Sequence, residues 1–308
     1  MNAKIMLLTS DDRGDMLCSY AEECLLGIGG AFGHSFSLLR EKLGEKSIQA
    51  YGTSLTRETV DACRKCSGIV LGNASAEGVE LLAAELRLPL QVRCEPGFTG
   101  LVERDPLICR AVSLEPEMLE KAAENAFDLA QAEGRCLLHA LPSGKNAENW
   151  EKTVNQKGKD HPEVECVQMA ADRALSFLLE QPEKVGTLFC PPYIGKMYLA
   201  AFTSRNLQPA LLYDCYKGDR QGMYAAVQRE NTRAAEEASP LGILLAACAL
   251  LRDTLHLERE AECLYSAVRN VYESGWRTKD MNGEKETVPG SKIVELILNQ
   301  IELASRFV

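Results

Sequence analysis

The sequence predicts an α/β protein built on a mostly parallel sheet flanked by helices. Three observations carry that prediction. Short apolar runs at residues 5–8, 69–71 and 90–93 alternate with helix-length amphipathic segments, the pattern of strands joined by crossover helices. The run Gly68-Ile-Val-Leu-Gly72 is apolar at every interior position, which suits a strand covered on both faces. With 308 residues and 46% apolar content, the chain can bury one large or two medium cores.

In order along the chain, residues 5–8 read as the first strand, 9–14 as a turn and 16–26 as a helix. A Gly52-Thr53 turn leads into a helix over 56–66. Thr56 supplies a hydroxyl N-cap, Glu58 puts a carboxylate where the helix dipole favours it, and Val60 and Cys63 form an apolar face. Helix 77–86 and strand 90–93 follow, and Pro96, Gly97 and Gly100 then mark a candidate domain boundary. Helix 116–131 opens on Pro116, lines one face with Leu119, Ala122, Ala123, Ala126 and Ala130, and stops at Gly134.

Strands at 136–138, 164–169 and 185–190 occupy the middle of the chain, with helical pieces at 149–154, 171–179 and 196–204. The charge-rich stretch 218–237 has weak periodicity and reads as a loop or an exposed helix. Pro240 opens an apolar helix. An amphipathic helix over 258–274 turns Ala261, Leu264, Val268 and Val271 inward and stops at Gly275. A polar loop and a helix over 293–303 close the chain, with no internal repeat or low-complexity tract.

A net charge of −10 argues against nucleic-acid partners, because phosphate binding needs a basic surface. No apolar run reaches the length of a membrane span, and the start MNAKIMLLTS has too short an apolar core for a secretory signal. A cytoplasmic protein with no membrane partner is the expectation. Its twelve cysteines then act as reduced, small hydrophobic residues. Cys63 and Cys66 form a lone C-x-x-C without a second pair, and His34, His139, His161 and His256 are scattered singly, so no metal site is expected.

Several segments carry a resemblance in a fixed order. Residues 50–73 (AYGTSLTRETVDACRKCSGIVLGN) are similar to a Gly-Thr-Pro-Leu turn, a Glu-Thr pair and a Leu-Leu-Gly strand end of the isocitrate/isopropylmalate dehydrogenase family. ENAFDLA at 124–130 resembles that family's Ala-Phe-x-x-Ala helix. Trp150 resembles the tryptophan after its catalytic loop, and residues 161–165 resemble its Tyr-Pro-x-Val clasp strand. Ala238-Ser-Pro240 and residues 261–281 are similar to its Ala-Asn-Pro segment and its Gly-x-Arg-Thr-x-Asp ending.

The resemblance implies an isopropylmalate dehydrogenase-like two-domain fold. Residues 1–95 and 210–308 would form a terminal α/β domain, and 96–209 an inserted α/β dimerisation domain. It also implies a homodimer built through helices 171–179 and 196–204. The family oxidises malate-type 2-hydroxy acids with NAD or NADP and then removes the β-carboxylate. A divalent metal stabilises the developing enolate, a lysine and a tyrosine move protons, and arginines hold the carboxylates.

Most positions matched to that chemistry are changed. With Trp150 as anchor, the Asp-Lys-x-Asn loop falls on His139, Ala140 and Pro142, so alanine replaces the catalytic lysine; Lys145-Asn146 could substitute only in a loop shortened by several residues. The metal motif Gly-Asp-x-x-Ser-Asp falls on Gly195–Ala200, where Lys196 and Ala200 replace both carboxylates. Asp172 remains as one carboxylate, too few for magnesium. One family arginine falls on Ala83, another matches Arg93, and Arg104 corresponds to a third. The adenine-ribose loop falls on residues 226–231 (AVQREN) without a glycine, which removes the close backbone approach to the cofactor.

The resemblance therefore implies no catalytic or metal set and degraded NAD and magnesium sites. Arg93, Arg104, Lys196 and Asp172 are the candidate residues for binding a small carboxylate or phosphate. The leading expectation is a family member that has lost metal-dependent oxidative decarboxylation and binds an anion or serves as a regulatory or partner subunit. Two alternatives stand beside it. One is a divergent NAD(P)-dependent dehydrogenase using Lys196 as electrophile, and the other is an interaction protein with an empty cleft.

Overall fold

The computed structural model describes residues 1–99, 106–206, 208–228, 238–281 and 287–305. They fall into two compact units. The first comprises Met1–Leu86, Leu207–Cys215 and Arg220–Val308, and the second Arg87–Asn206 and Tyr216–Asp219.

The chain enters the first unit with β1 (Asn2–Thr9), whose Ile5–Leu8 stretch is fully buried. Helix α1 (Asp12–Phe32) begins where Asp11 accepts from Gly14 N–H, and it ends on Gly33 at φ 72. It buries Leu17, Cys18, Ala21, Cys24, Leu25 and Ile28 and runs well beyond the expected 16–26 at both ends. Strand β2 (Ser35–Lys42) and α2 (Gly44–Tyr51) were not expected from the sequence. β2 buries only Phe36, so it lacks the alternation that marks a half-buried strand. In α3 (Arg57–Cys63), Thr56 accepts from Thr59 N–H at 3.1 Å, as its hydroxyl and position predict. β3 (Gly68–Leu71) is buried throughout, and α4 (Val79–Glu85) follows. β1 pairs in parallel with β2 on one side and β3 on the other.

The second unit starts at β4 (Leu90–Cys94), which the sequence placed in the terminal domain. It belongs to the second unit because it pairs antiparallel with β5 (Leu107–Ala111), Leu90 opposite Ala111. Helix α5 (Pro116–Ala132), β6 (Leu137–Leu141), α6 (Ala147–Asp160), β7 (Cys166–Ala170), α7 (Ala171–Glu180), β8 (Thr187–Cys190) and α8 (Pro192–Arg205) complete it. Its strand order is β4-β5-β8-β6-β7, parallel from β5 onward. α8 packs on β5, while α6 packs on α5 and β6.

Strand β9 (Tyr213–Lys217) has Tyr213–Cys215 in the first unit and Tyr216 and Lys217 in the second, and β10 (Gly222–Ala226) of the first unit pairs in parallel with β3. The charge-rich stretch read as a loop or exposed helix thus contains a fully buried strand. The apolar run Gly222–Ala226 is short, and the charges flanking it masked its signal; residues 229–237 lie outside the described set. Helix α9 (Leu241–Ala249) is buried at every position, and a π-helical turn, Leu250–Thr254, extends it. α10 (Glu258–Glu273) and α11 (Gly290–Ser305) pack against each other and against α1. No described helix is long and apolar enough to cross a membrane.

Candidate functional site

In the first unit β1 leads through α1 to β2 on one side, while β3 lies on the other, so the strand order reverses at the carboxyl ends of β1 and β3. Open α/β sheets bind ligands at such points. Here the chain's own atoms occupy the crevice. A Cβ added at Gly72 would lie 2.2 Å from Gly14 O, so strand end and helix start touch through two glycines. Asn73 Nδ2 donates to Asp11 Oδ2 at 2.9 Å, and Gln228 Nε2 donates to Gly72 O. Arg13 Nη1 donates to Gln228 Oε1 at 3.2 Å.

Beside this contact lies a cavity of about 20 Å3 whose polar lining is Arg13, Gln228, Ser239 and Asp280. That volume suits about one water molecule. Asp280 accepts from Ser239 N–H at 2.9 Å and from Thr278 Oγ1–H at 2.6 Å. Burial is the largest influence on Asp280 and raises its pKa, which these hydrogen bonds and Arg13 only partly offset. Of the segment matched to the adenine-ribose loop, Ala226, Val227 and Gln228 line the cavity, and 229–231 lie outside the described residues.

In the second unit, Arg93 is on β4 and only 7% exposed. Its Nη1 donates to Leu199 O at 3.3 Å and to Thr203 Oγ1, fastening β4 to α8. Lys196 is exposed on α8, one turn before Leu199. Asp172 is exposed in the first turn of α7, and Arg104 lies outside the described residues. α7 and α8 meet where Tyr198 Oη donates to Ala171 O. Burial, then the charges of Cys190 and Asp172, push the Tyr198 phenol well above its usual range. Arg93 is thus buried against α8 at Leu199 and Thr203, Lys196 is exposed on the same helix, and Asp172 on α7 acts electrostatically on Tyr198.

Sequence reasoning missed Arg110. It is 2% exposed on β5, donates from Nε to Gln91 Oε1 at 2.6 Å and from Nη1 to Pro192 O at 3.3 Å. Its stem lies against Gly195, where a Cβ would fall 2.4 Å from Arg110 Cγ. The signal was an arginine inside the apolar run LICRAV, at a strand that periodicity did not reveal.

The residues matched to the family's lysine loop are not in a loop. His139 and Ala140 lie on β6, 1% and 0% exposed. Trp150 Nε1 donates to His139 Nδ1 at 3.3 Å, and burial pushes the imidazole pKa down to about 4 despite the opposing pull of Glu151. Among the described residues no group of three or more His, Cys, Asp or Glu side chains is placed to hold a metal ion.

Comparison with known proteins agrees with the architecture. The family model described as isocitrate/isopropylmalate dehydrogenase matches residues 110–297. A 3-isopropylmalate dehydrogenase of Archaeoglobus fulgidus is 25% identical over 319 residues, covering 89% of this chain and 97% of that protein. One from Staphylococcus epidermidis is 26% identical over 351 residues, covering 96% and 99%. Among solved structures, isocitrate dehydrogenase from Methylococcus capsulatus superposes with a TM-score of 0.83 at 16% identity, covering 97% of this chain and 99% of that one. The apo β-decarboxylating dehydrogenase of Thermococcus kodakarensis gives 0.79 at 19% identity, covering 99% and 98%.

Proposed function

Because the chain belongs to the isocitrate/isopropylmalate dehydrogenase family, we propose that it keeps the family's fold, has lost metal-dependent oxidative decarboxylation, and binds a small carboxylate or phosphate without turning it over. The observation that carries this reading is the placement of His139 and Ala140. The segment matched to the catalytic lysine loop is a buried strand, with a methyl group at the lysine position and a neutral imidazole bonded to Trp150. Oxidation and decarboxylation leave an enolate that must be stabilised and then protonated. Neither Ala140 nor a buried His139 supplies a proton donor to substrate.

The metal position gives the same reading. Lys196 and Ala200 stand where the family has two carboxylates, and Asp172 alone is a poor divalent site, so these residues do not fit the metal. A lysine ammonium there repels a cation and attracts an anion. Arg93 is buried against α8, whereas Lys196 is exposed on that helix and is the proposed anion contact. The contacts filling the strand-end crevice of the first unit support weak dinucleotide binding. The homodimer enters here too, through α7 and α8. Leu179 is 39% exposed, Tyr193 78% and Met197 53%, an apolar surface of the kind a second copy covers.

The test pairs turnover with binding. Malate-type 2-hydroxy acids, NAD or NADP, and manganese should give no reduced cofactor. The same acids or inorganic phosphate should raise the melting temperature of the native protein, and Lys196→Ala should abolish that rise. Cofactor reduction above background would instead support the divergent dehydrogenase, and neither turnover nor a thermal shift would favour an interaction protein.

A further inference from the structure

Two buried polar atoms of the second unit lie close in the sheet register and are left unmatched by side chains and backbone. His139 on β6 is 1% exposed and Thr187 on β8 is 0% exposed. Trp150 Nε1–H donates to His139 Nδ1 at 3.3 Å. An indole nitrogen only donates, so Nδ1 presents its lone pair, and the neutral ring carries its proton on Nε2. That Nε2–H has no acceptor among the described residues, and Thr187 Oγ1 has no partner there either. The parallel ladder sets Leu137 beside Thr187 and His139 beside Phe189. Thr187 and His139 are therefore diagonal neighbours on one face of the sheet. Trp150 roofs that face, stacked on Phe189 with ring centroids 4.6 Å apart.

We infer that one internal water sits between β6, β8 and α6, accepting from His139 Nε2–H and donating to Thr187 Oγ1. Buried polar groups are nearly always satisfied, and internal waters serve those that protein atoms do not reach. The chemistry selects water over an ion. A neutral imidazole donor and a hydroxyl present no net charge, whereas water offers the acceptor and the donor that this pair requires. The site fixes the His139 tautomer and links the α6 layer to the strand pair through Trp150, His139 and the water.

Oxygen-17 relaxation dispersion counts long-lived internal waters, and nitrogen-15 NMR reports the His139 tautomer. The native protein should show His139 protonated at Nε2. Thr187→Val should lose one long-lived water relative to the native chain, while Thr187→Ser keeps it. A proton at Nδ1, or an unchanged water count in Thr187→Val, would overturn the inference. If Thr187→Val fails to fold, a high-resolution crystal structure of the native chain decides. A water within hydrogen-bond distance of both atoms supports the site, and a dry contact refutes it.

Discussion

Gly72 and Gly195 each sit where a side chain has no room, but for different reasons. A Cβ at Gly72 meets backbone, with Gly14 O at 2.2 Å and Gly14 Cα at 2.5 Å. At Gly195 it meets the Arg110 side chain, which can shift at the expense of its bond to Gln91. Gly72→Ala should therefore lower stability by about 3 kcal/mol or more, and Gly195→Ala by about 1–3 kcal/mol, read from urea unfolding. A smaller effect at Gly72 than at Gly195 would contradict the packing. His139 makes a pH prediction. Its folded pKa, about 4, lies below the ordinary 6.5, so the folded state resists protonation that the unfolded chain accepts. Its contribution is undiminished above pH 6.5 and falls by about 1.4 kcal/mol per unit down to pH 4, about 3 kcal/mol in all. His139→Gln should flatten the slope in that window, and an unchanged slope would place the titration elsewhere. None of these contacts was legible in the sequence. Gly72 could be read as a strand end, but its contact with Gly14 joins residues that only the folded sheet brings together.

At the scale of elements, helices with one apolar stripe were legible, as were short, mainly apolar strands such as β3 and β8, while several other strands were not. α5 and α10 lie close to their expected spans because Leu119, Ala122, Ala123 and Ala126, and likewise Ala261, Leu264 and Val268, repeat at helical spacing. β5, β9 and β10 escaped because they are brief and mix charges or small residues into apolar runs, and β2, eight residues long, because it buries only Phe36. α8 shows what this hides. Its inner face, Tyr198, Leu199 and Phe202, is buried, and its start on Pro192 is bound by Arg110, four residues before the expected beginning. Its outer face carries Tyr193 and Met197, so the helix is apolar nearly all round, as a helix buried on both sides would be. The proposed homodimer places that outer face in the interface. Light scattering should give about twice 33.9 kDa for the native protein and 33.9 kDa for Met197→Glu, which would bury an unpaired charge. A native particle of 33.9 kDa would exclude the dimer.

At the scale of the whole molecule, order along the chain revealed more than any motif did. The segments around Thr56, Trp150, Pro240 and Arg277 resemble the family in sequence order, and the family model and the superpositions agree on the fold. The candidate site was less legible. Arg93 could be identified as an arginine of interest, but not as the side chain that fastens β4 to α8, because Leu199 and Thr203 are distant in sequence. The changes at His139, Ala140, Lys196 and Ala200 are visible in one dimension, and the burial of β6 adds their physical meaning. Fold alone does not establish activity. The claim that the family's metal chemistry has been lost is tested most directly by calorimetric titration of manganese into the native protein with a malate-type 2-hydroxy acid present. The account predicts a dissociation constant of about millimolar or weaker, because one exposed carboxylate, with Lys196 and Ala200 in place of the family's other two, cannot hold the ion. A micromolar constant would contradict it.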